Sequence, residues 1–249
     1  MAMDYLNKIL GAFEVLSATE IRDCFEHGVD PNAMHEGKAL IFTFINYYLR
    51  GPEFSACLQA FVDYGLKFED DIFLAVLLND GDRLDLFLLA DPQALHKTYT
   101  LDCTFTPLYQ ASLLHICAEY NLLHSAKVLV KHGMDINVKA GIDEHGFGAQ
   151  TPIFHTVNQH ANSCIDMLRY LLSQSADLDL TVKGLNWGKG YEWETFIPSV
   201  NPISYAMMGL LRQFQRKEKD IYEVVALLMH ARYGIDYVPS NIPNAYLNN

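Results

Sequence analysis

Residues able to do chemistry are plentiful in this chain, but their spacing suits little of it. Asp143, Glu144 and His145 stand together between Gly141 and Gly146. Two carboxylates beside an imidazole could ligate a metal or exchange protons with a substrate. Contiguous loop residues point in different directions, however, and no helix aligns them, so a solvated loop tip is the simpler expectation. The chain has 10 histidines, yet no HExxH, no Gly-x-Ser-x-Gly and no paired carboxylates at helical spacing on a plausible cleft. Gly184, Gly188 and Gly190 surround Lys189, but Gly190 follows the lysine where a phosphate-cradling loop needs Ser or Thr. The 5 cysteines Cys24, Cys57, Cys103, Cys117 and Cys164 form no CxxC pair and sit mostly among apolar neighbours. That usage predicts small buried thiols in a reducing compartment rather than disulfides or a metal site. No catalytic residue, metal ligand or cofactor is expected.

Recognition is better represented. Both tryptophans, Trp187 and Trp193, fall in one connecting stretch with Tyr191 and Phe196. Aromatic rings on a loop that projects from a rigid scaffold bury large area with few rotatable bonds, which suits them as anchors for a partner. The alternative is that they fold back over the neighbouring helices as a satellite core. A second stretch, Asp91 to Thr106, carries His96, Tyr99 and Phe105, and a third, Val138 to Gln150, adds His145 and Phe147. The candidate partner-binding residues are therefore Tyr99, Phe105, His145, Phe147, Trp187, Tyr191 and Trp193.

The elements that position these stretches repeat. Ser112-Leu113-Leu114-His115 opens a short helix. A second apolar-periodic helix runs from Ser125 to His132 and stops at Gly133, before Met134-Asp135-Ile136-Asn137. Glycine just past a helix end takes the left-handed conformation without a Cβ penalty. Thr151-Pro152-Ile153-Phe154-His155 starts a further helix, Ile165 to Ser173 forms its partner, and Ala176-Asp177-Leu178-Asp179 closes that unit. Asn201-Pro202 opens another that ends at Gly234-Ile235-Asp236, and Ile21 to His27 runs into Gly28-Val29-Asp30-Pro31-Asn32. Proline at the first helical position costs nothing, because its missing N–H would be unpaired there. His115 and His155, at helix starts, are expected to hydrogen-bond neighbouring turns. His27 and His132 precede glycine stops, where an imidazole suits the helix C-terminus.

This order of motifs resembles the ankyrin repeat, whose pattern is a Thr-Pro-Leu-His-like helix start, a second helix rich in Val and Leu, and then Gly-Ala-Asp-x-Asn. The resemblance covers roughly residues 4 to 237. It is fullest from Ser112 to Asn137 and mainly periodic over Lys38 to Lys67 and Asp70 to Pro92. It implies an all-α solenoid of helix-turn-helix repeats with irregular extended loops, divided as 4–32, 33–68, 69–111, 112–150, 151–200 and 201–237, with an irregular tail over 238–249. Helix pairs of this size cannot bury their apolar faces alone and must stack. Helix starts at Asp70, Ser112, Thr151 and Asn201 lie 42, 39 and 50 residues apart, longer than the ~33 of a plain repeat. Most of the excess falls in the three aromatic-bearing connections, and Thr106-Pro107-Leu108-Tyr109 mimics a second helix start.

Composition limits the rest. In 249 residues, 50% are hydrophobic and 19% charged, which excludes a disordered chain. The net charge of −12 argues against broad phosphate-backbone binding, although Arg212, Arg216, Lys217 and Lys219 cluster near the C-terminus. Glu53, Glu69, Asp70, Asp71, Asp80, Asp82, Asp85 and Asp91 weight the second and third units acidic. No apolar run approaches the ~18 residues of a membrane span, and Asp4 and Lys8 interrupt any leader-like segment. The expected protein is a cytoplasmic monomer that binds a protein or peptide through its concave face and long loops, without catalysis, nucleic acid or membrane. An acidic inhibitor or effector that blocks a specific target is the alternative, and an enzyme built on the inserted loops is a further one.

Overall fold

The computed structural model describes residues 2–103, 105–208 and 217–236. Arg212, Arg216 and the tail from Tyr237 to Asn249 lie outside the described residues.

The chain opens with α1 (Ala2–Glu14) and α2 (Ala18–Glu26), then a minimal hairpin of β1 (Met34–His35) and β2 (Lys38–Ala39). There follow α3 (Leu40–Ile45), α4 (Phe54–Asp63), α5 (Asp71–Leu77) and α6 (Gly81–Ala90). Side-chain caps explain several of these starts: Asp70 Oδ1 accepts from the Phe73 amide at 3.0 Å, and Asp80 Oδ1 from that of Arg83 at 3.0 Å. A 3-10 turn, Pro92–His96, leads into β3 (Thr98–Leu101) and β4 (Leu108–Ser112), after which come α7 (Leu113–Tyr120) and α8 (Leu123–Lys131). Two further 3-10 turns, Pro152–His155 and His160–Asn162, precede α9 (Ile165–Ser173). Then come β5 (Val182–Trp187), β6 (Thr195–Val200), α10 (Pro202–Met208) and α11 (Glu218–Tyr233).

The helices form two ranks. Helix α5 packs on α7, α7 on the Pro152–His155 turn, and that turn on α10. Behind them α2 packs on α4, α6 on α8, α8 on α9 and α9 on α11. One contiguous apolar core runs through both, from Phe13, Phe44 and Phe61 to Phe154, Tyr205 and Leu228. The connections behind α2, α4 and α8 share one geometry: Gly28, Gly65 and Gly133 have φ of +94°, +92° and +93°. After α9 the equivalent residue is Ser175, held at φ +62°. Asp30, Asp135 and Asp177 each accept a hydrogen bond from the amide two residues on, at 2.8, 2.9 and 2.8 Å. Asn32 then bonds the Gly65 carbonyl and the Lys67 amide, at 3.0 and 2.7 Å, and Asn137 Oδ1 accepts from the Asp177 amide at 2.8 Å. The turns after α2 and α8 are thereby tied to later ones.

The expectation of an all-α solenoid with irregular loops is overturned. Among the described residues three two-stranded antiparallel sheets accompany the helices, and the fold is mixed α/β. The longest insert folds as a hairpin rather than an irregular loop. Val182, Gly184, Leu185, Ile197 and Val200 are buried, Lys183, Thr195, Phe196, Pro198 and Ser199 are exposed, and Gly188 and Gly190, at φ +67° and +88°, allow the reversal between β5 and β6. The apparent helix start at Thr106-Pro107 is the entry to β4, since proline is tolerated at the head of a strand as readily as at the first helical position. At Thr151-Pro152 only a 3-10 turn forms, not the expected α-helix. The polar run Asn158-Gln159-His160-Ala161-Asn162-Ser163 follows, with Ala161 and Asn162 at φ +46° and +54°. Short polar side chains there compete for backbone groups and stop propagation.

Candidate functional site

Main-chain hydrogen bonds join the three inserts side by side. The Tyr109 carbonyl of β4 accepts from the Gly141 amide at 2.9 Å, and the Gly141 carbonyl accepts from Ala149 at 3.1 Å. The Gly148 amide in turn donates to the Gly184 carbonyl of β5 at 3.1 Å. Only glycine serves at position 148: its φ is +116°, and a Cβ would collide with the Gly141 carbonyl oxygen. The result is a ridge of β3–β4, the Gly141–Ala149 loop and β5–β6.

This ridge gathers most of the aromatic residues singled out above. Phe105 lies 5.2 Å from Trp187 and 6.1 Å from Trp193, ring centre to ring centre. Trp193 stands edge-on to Trp187 at 5.2 Å and stacks with Tyr191 at 5.1 Å. In the neighbouring loop Phe147 packs 4.5 Å from Phe196 and 6.2 Å from His145, with Lys183 Nζ 5.1 Å above its ring. The two uses expected of such rings are divided among them. Trp187 packs against the core, whereas Tyr191, Trp193 and Phe196 are 48%, 42% and 45% exposed. Tyr99 does not join this group: it stacks on Phe73 at 4.4 Å and donates its hydroxyl to Asp70 at 3.0 Å.

Between the inserts lies a cavity of about 460 Å³. Its wall includes Asp102, Asp143, Glu144, Lys189 and the rings of Tyr109, Phe147 and Tyr191. Asp102 pairs with Lys38 at 2.5 Å, while Glu144 has only long contacts, 3.7 Å to His145 and 4.0 Å to Lys189. Burial pulls the Asp143 carboxyl upward, but amide hydrogen bonds from Phe147 and His145, both 2.9 Å, outweigh it and hold the group below the usual carboxylate range. That carboxylate is committed to shaping its own loop. Gln150 is 1% exposed in the same wall; its amide nitrogen donates to the Pro107 carbonyl, and its Oε1 has no donor. Cys103 also lines the cavity, 3.6 Å from Glu119 Oε1. Burial and then that carboxylate push its thiol up, the reverse of what activates a cysteine nucleophile. Among the described residues no group of three His, Cys, Asp or Glu is placed to hold a metal ion.

Beneath the ridge lies a cluster that sequence reasoning missed. Glu119, fully buried on α7, pairs through Oε2 with His155 Nδ1 at 2.9 Å and through Oε1 with Arg50 Nε at 3.5 Å. The Arg50 guanidinium lies 4.3 Å over the Tyr120 ring and donates to the Tyr47 carbonyl. The available signal was a single acid within the apolar run Leu113 to Tyr120. His115 does bond neighbouring turns as expected. Its Nδ1 accepts from the Ser112 amide at 3.2 Å, so Nε2 carries the hydrogen and donates to the Gln150 carbonyl at 2.9 Å. Burial, then the nearby His155, push its pKa down to about 3. His27 Nδ1 bonds the Asp23 carbonyl at 2.8 Å, and His132 Nε2 bonds Asp85 at 2.6 Å. All five cysteines are free thiols, Cys103 being the one that is not fully buried.

Among the described residues no helix is long and apolar enough to cross a membrane. In comparisons with known proteins, no family model matches the chain and no curated sequence matches it.

Proposed function

We propose that this chain is a protein-interaction module that binds a protein or peptide partner along the ridge of inserted hairpins, without catalysing a reaction. The observation that carries the reading is convergence. Three inserts far apart in sequence are bonded backbone to backbone and present exposed Tyr191, Trp193 and Phe196 beside one cavity. Exposed rings grouped on a hydrogen-bonded scaffold offer a partner a surface that is already ordered, which lowers the entropic cost of binding. The ankyrin-like order of helix starts and glycine stops supports the same reading, since such arrays present their connections to partners.

The test is capture of the native partner from the source cell by wild-type protein and by Tyr191→Ala, Trp193→Ala and Leu86→Ser. Leu86 is 67% exposed on α6, outside the ridge of hairpins, and serves as the surface control. The expected result is loss of the captured protein with the two ridge variants and retention with Leu86→Ser, all four folding alike by circular dichroism. Equal capture by all four would overturn the proposal.

A further inference from the structure

Helix α11 closes the rear rank of the stack. Its core side carries the buried Ile221, Val224, Val225 and Leu228. One flank belongs to the preceding unit: Asn162 donates to the Asp220 carbonyl at 2.8 Å, and Arg169 to Glu223 at 3.1 Å. The other flank is apolar as well. Ala226, Met229 and Tyr233 follow one another at three and four residues, the spacing that sets side chains on one side of a helix. Ala226 and Met229 are half-buried, Tyr233 is 56% exposed, and Ile235, just past the helix, is 46% exposed. The last unit of a stacked array ordinarily turns a polar face outward, because no further unit covers it.

Two observations bear on what covers this one. The first is direction. Gly234, at φ +67°, donates its amide to the His230 carbonyl at 2.8 Å, and Asp236 pairs with the His230 ring at 2.7 Å, so the chain past the glycine folds back alongside the last turn of the helix. The second is composition. The 13 residues from Tyr237 to Asn249, which lie outside the described residues, contain no Asp, Glu, Lys or Arg, in a chain that is 19% charged. They include Tyr237, Val238, Ile242, Ala245, Tyr246 and Leu247. High charge and few apolar side chains keep a segment in water, and this one has the reverse.

We infer that residues 237–249 form an intramolecular strap along the Ala226, Met229 and Tyr233 flank of α11, taking the place of a polar cap. The reach suffices: 13 residues extend up to about 43 Å, whereas the 16 residues of α11 measure about 24 Å. Pro239 and Pro243 bias the residues before them, Val238 and Ile242, toward extended backbone, so that apolar side chains of the strap meet the flank in succession. A second copy of the chain fits less well, since a stable pair of folded molecules buries about 800 Å² on each side and one helix flank is a narrow strip.

The experiment treats the full, folded chain with chymotrypsin, which cleaves after Tyr246 and Leu247. Cleavage there should be about tenfold slower than in the free peptide 237–249, as expected when roughly nine-tenths of the molecules hold the strap down. Met229→Asp on the helix, and the pair Val238→Asp with Ile242→Asp on the strap, should each raise cleavage to the peptide rate, while Leu86→Ser stays as protected as wild type. The strap pair lies outside every helix, so it keeps the test decisive even where Met229→Asp lowers the circular dichroism signal. A fluorescently labelled peptide 237–249 should then bind the strap variant and not wild type, whose own strap occupies the flank at a far higher effective concentration. Wild-type cleavage at the peptide rate, or equal binding of the peptide to wild type and strap variant, would overturn the inference. Protection that grows with protein concentration alongside a dimer in sedimentation would also overturn it, and would assign the flank to a second copy.

Discussion

Two of the charged groups in this molecule are held in opposite ways. Arg50, Glu119 and His155 come from three parts of the chain and meet where no water reaches, the side chains of Glu119 and His155 being 0% exposed. Glu144 and Lys189 face each other at 4.0 Å in the open wall of the cavity, their side chains 69% and 57% exposed, while Asp102 in the same wall pairs with Lys38. A charge taken out of water must keep its partners, because separation from them costs several kcal/mol. An exposed pair gains less than about 1 kcal/mol and can exchange partners freely. The first arrangement is locked in place, and the second can exchange its partners. Burial and pairing together, rather than the presence of acids and bases, separate the scaffold from the surface.

The largest test of that contrast is truncation on each side. Glu119→Ala leaves Arg50 buried without its counter-ion and His155 Nδ1 without its hydrogen-bond partner, and should lower unfolding free energy by about 3–5 kcal/mol in urea denaturation. Glu144→Ala should stay within about 0.5 kcal/mol of wild type. A Glu119 variant as stable as the Glu144 variant would erase the distinction. Next in size is the effect of acid on the buried side. Since the fold pushes the His115 pKa from 6.5 to about 3, the unfolded chain takes up a proton below pH 6.5 that the folded chain refuses. Stability from this group is complete above pH 6.5 and falls from there toward pH 3, by about 1.4 kcal/mol per pH unit. Comparing denaturation at pH 7.5 and 5.5, His115→Asn should show a shallower loss than wild type; equal slopes would remove His115 as the cause. The smallest effect belongs to Ser175, which holds φ +62° where three other turns use glycine. Ser175→Gly should raise stability by about 0.5 kcal/mol through relief of that backbone, while ridge-dependent capture stays unchanged. A lower melting temperature would show that the Ser175 side chain matters more than its backbone.

Local chemistry made much of the helical scaffold legible. Ile165 to Ser173 is α9 to the residue, Gly133 ends its helix as expected, and Ser112 opens α7, because periodicity, glycine stops and caps act within a few residues. Strands in the inserts escaped notice for a physical reason. Proline at position 107 serves a strand head and a helix start equally, and two-stranded hairpins carry too few residues for alternation to stand out. At the site, Trp187, Tyr191 and Trp193 could be picked by residue type, but not the contacts that set them beside Phe105, nor the bond between Gly148 and Gly184 that joins two inserts. Tyr99 faces α5 because Phe73 and Asp70, distant in sequence, offer it a stack and an acceptor. Glu119 was passed over since one acid in an apolar helix says nothing of the arginine and histidine that meet it.

The pairing of Val182 with Val200 closes the longest insert at its root, and both residues are buried. A loop closed at its base presents the same two ends to the scaffold whatever lies between them, so the helices on either side need not register how far the hairpin extends. Leu185, Trp187 and Ile197 still root the hairpin in the core, so the variable part is the tip beyond the Trp187–Thr195 pair, whose length evolution or a designer can change almost independently of the fold. Exchanging Gly188 to Glu194 for another turn of matching base would transplant a new recognition surface while leaving the stack beneath it in place.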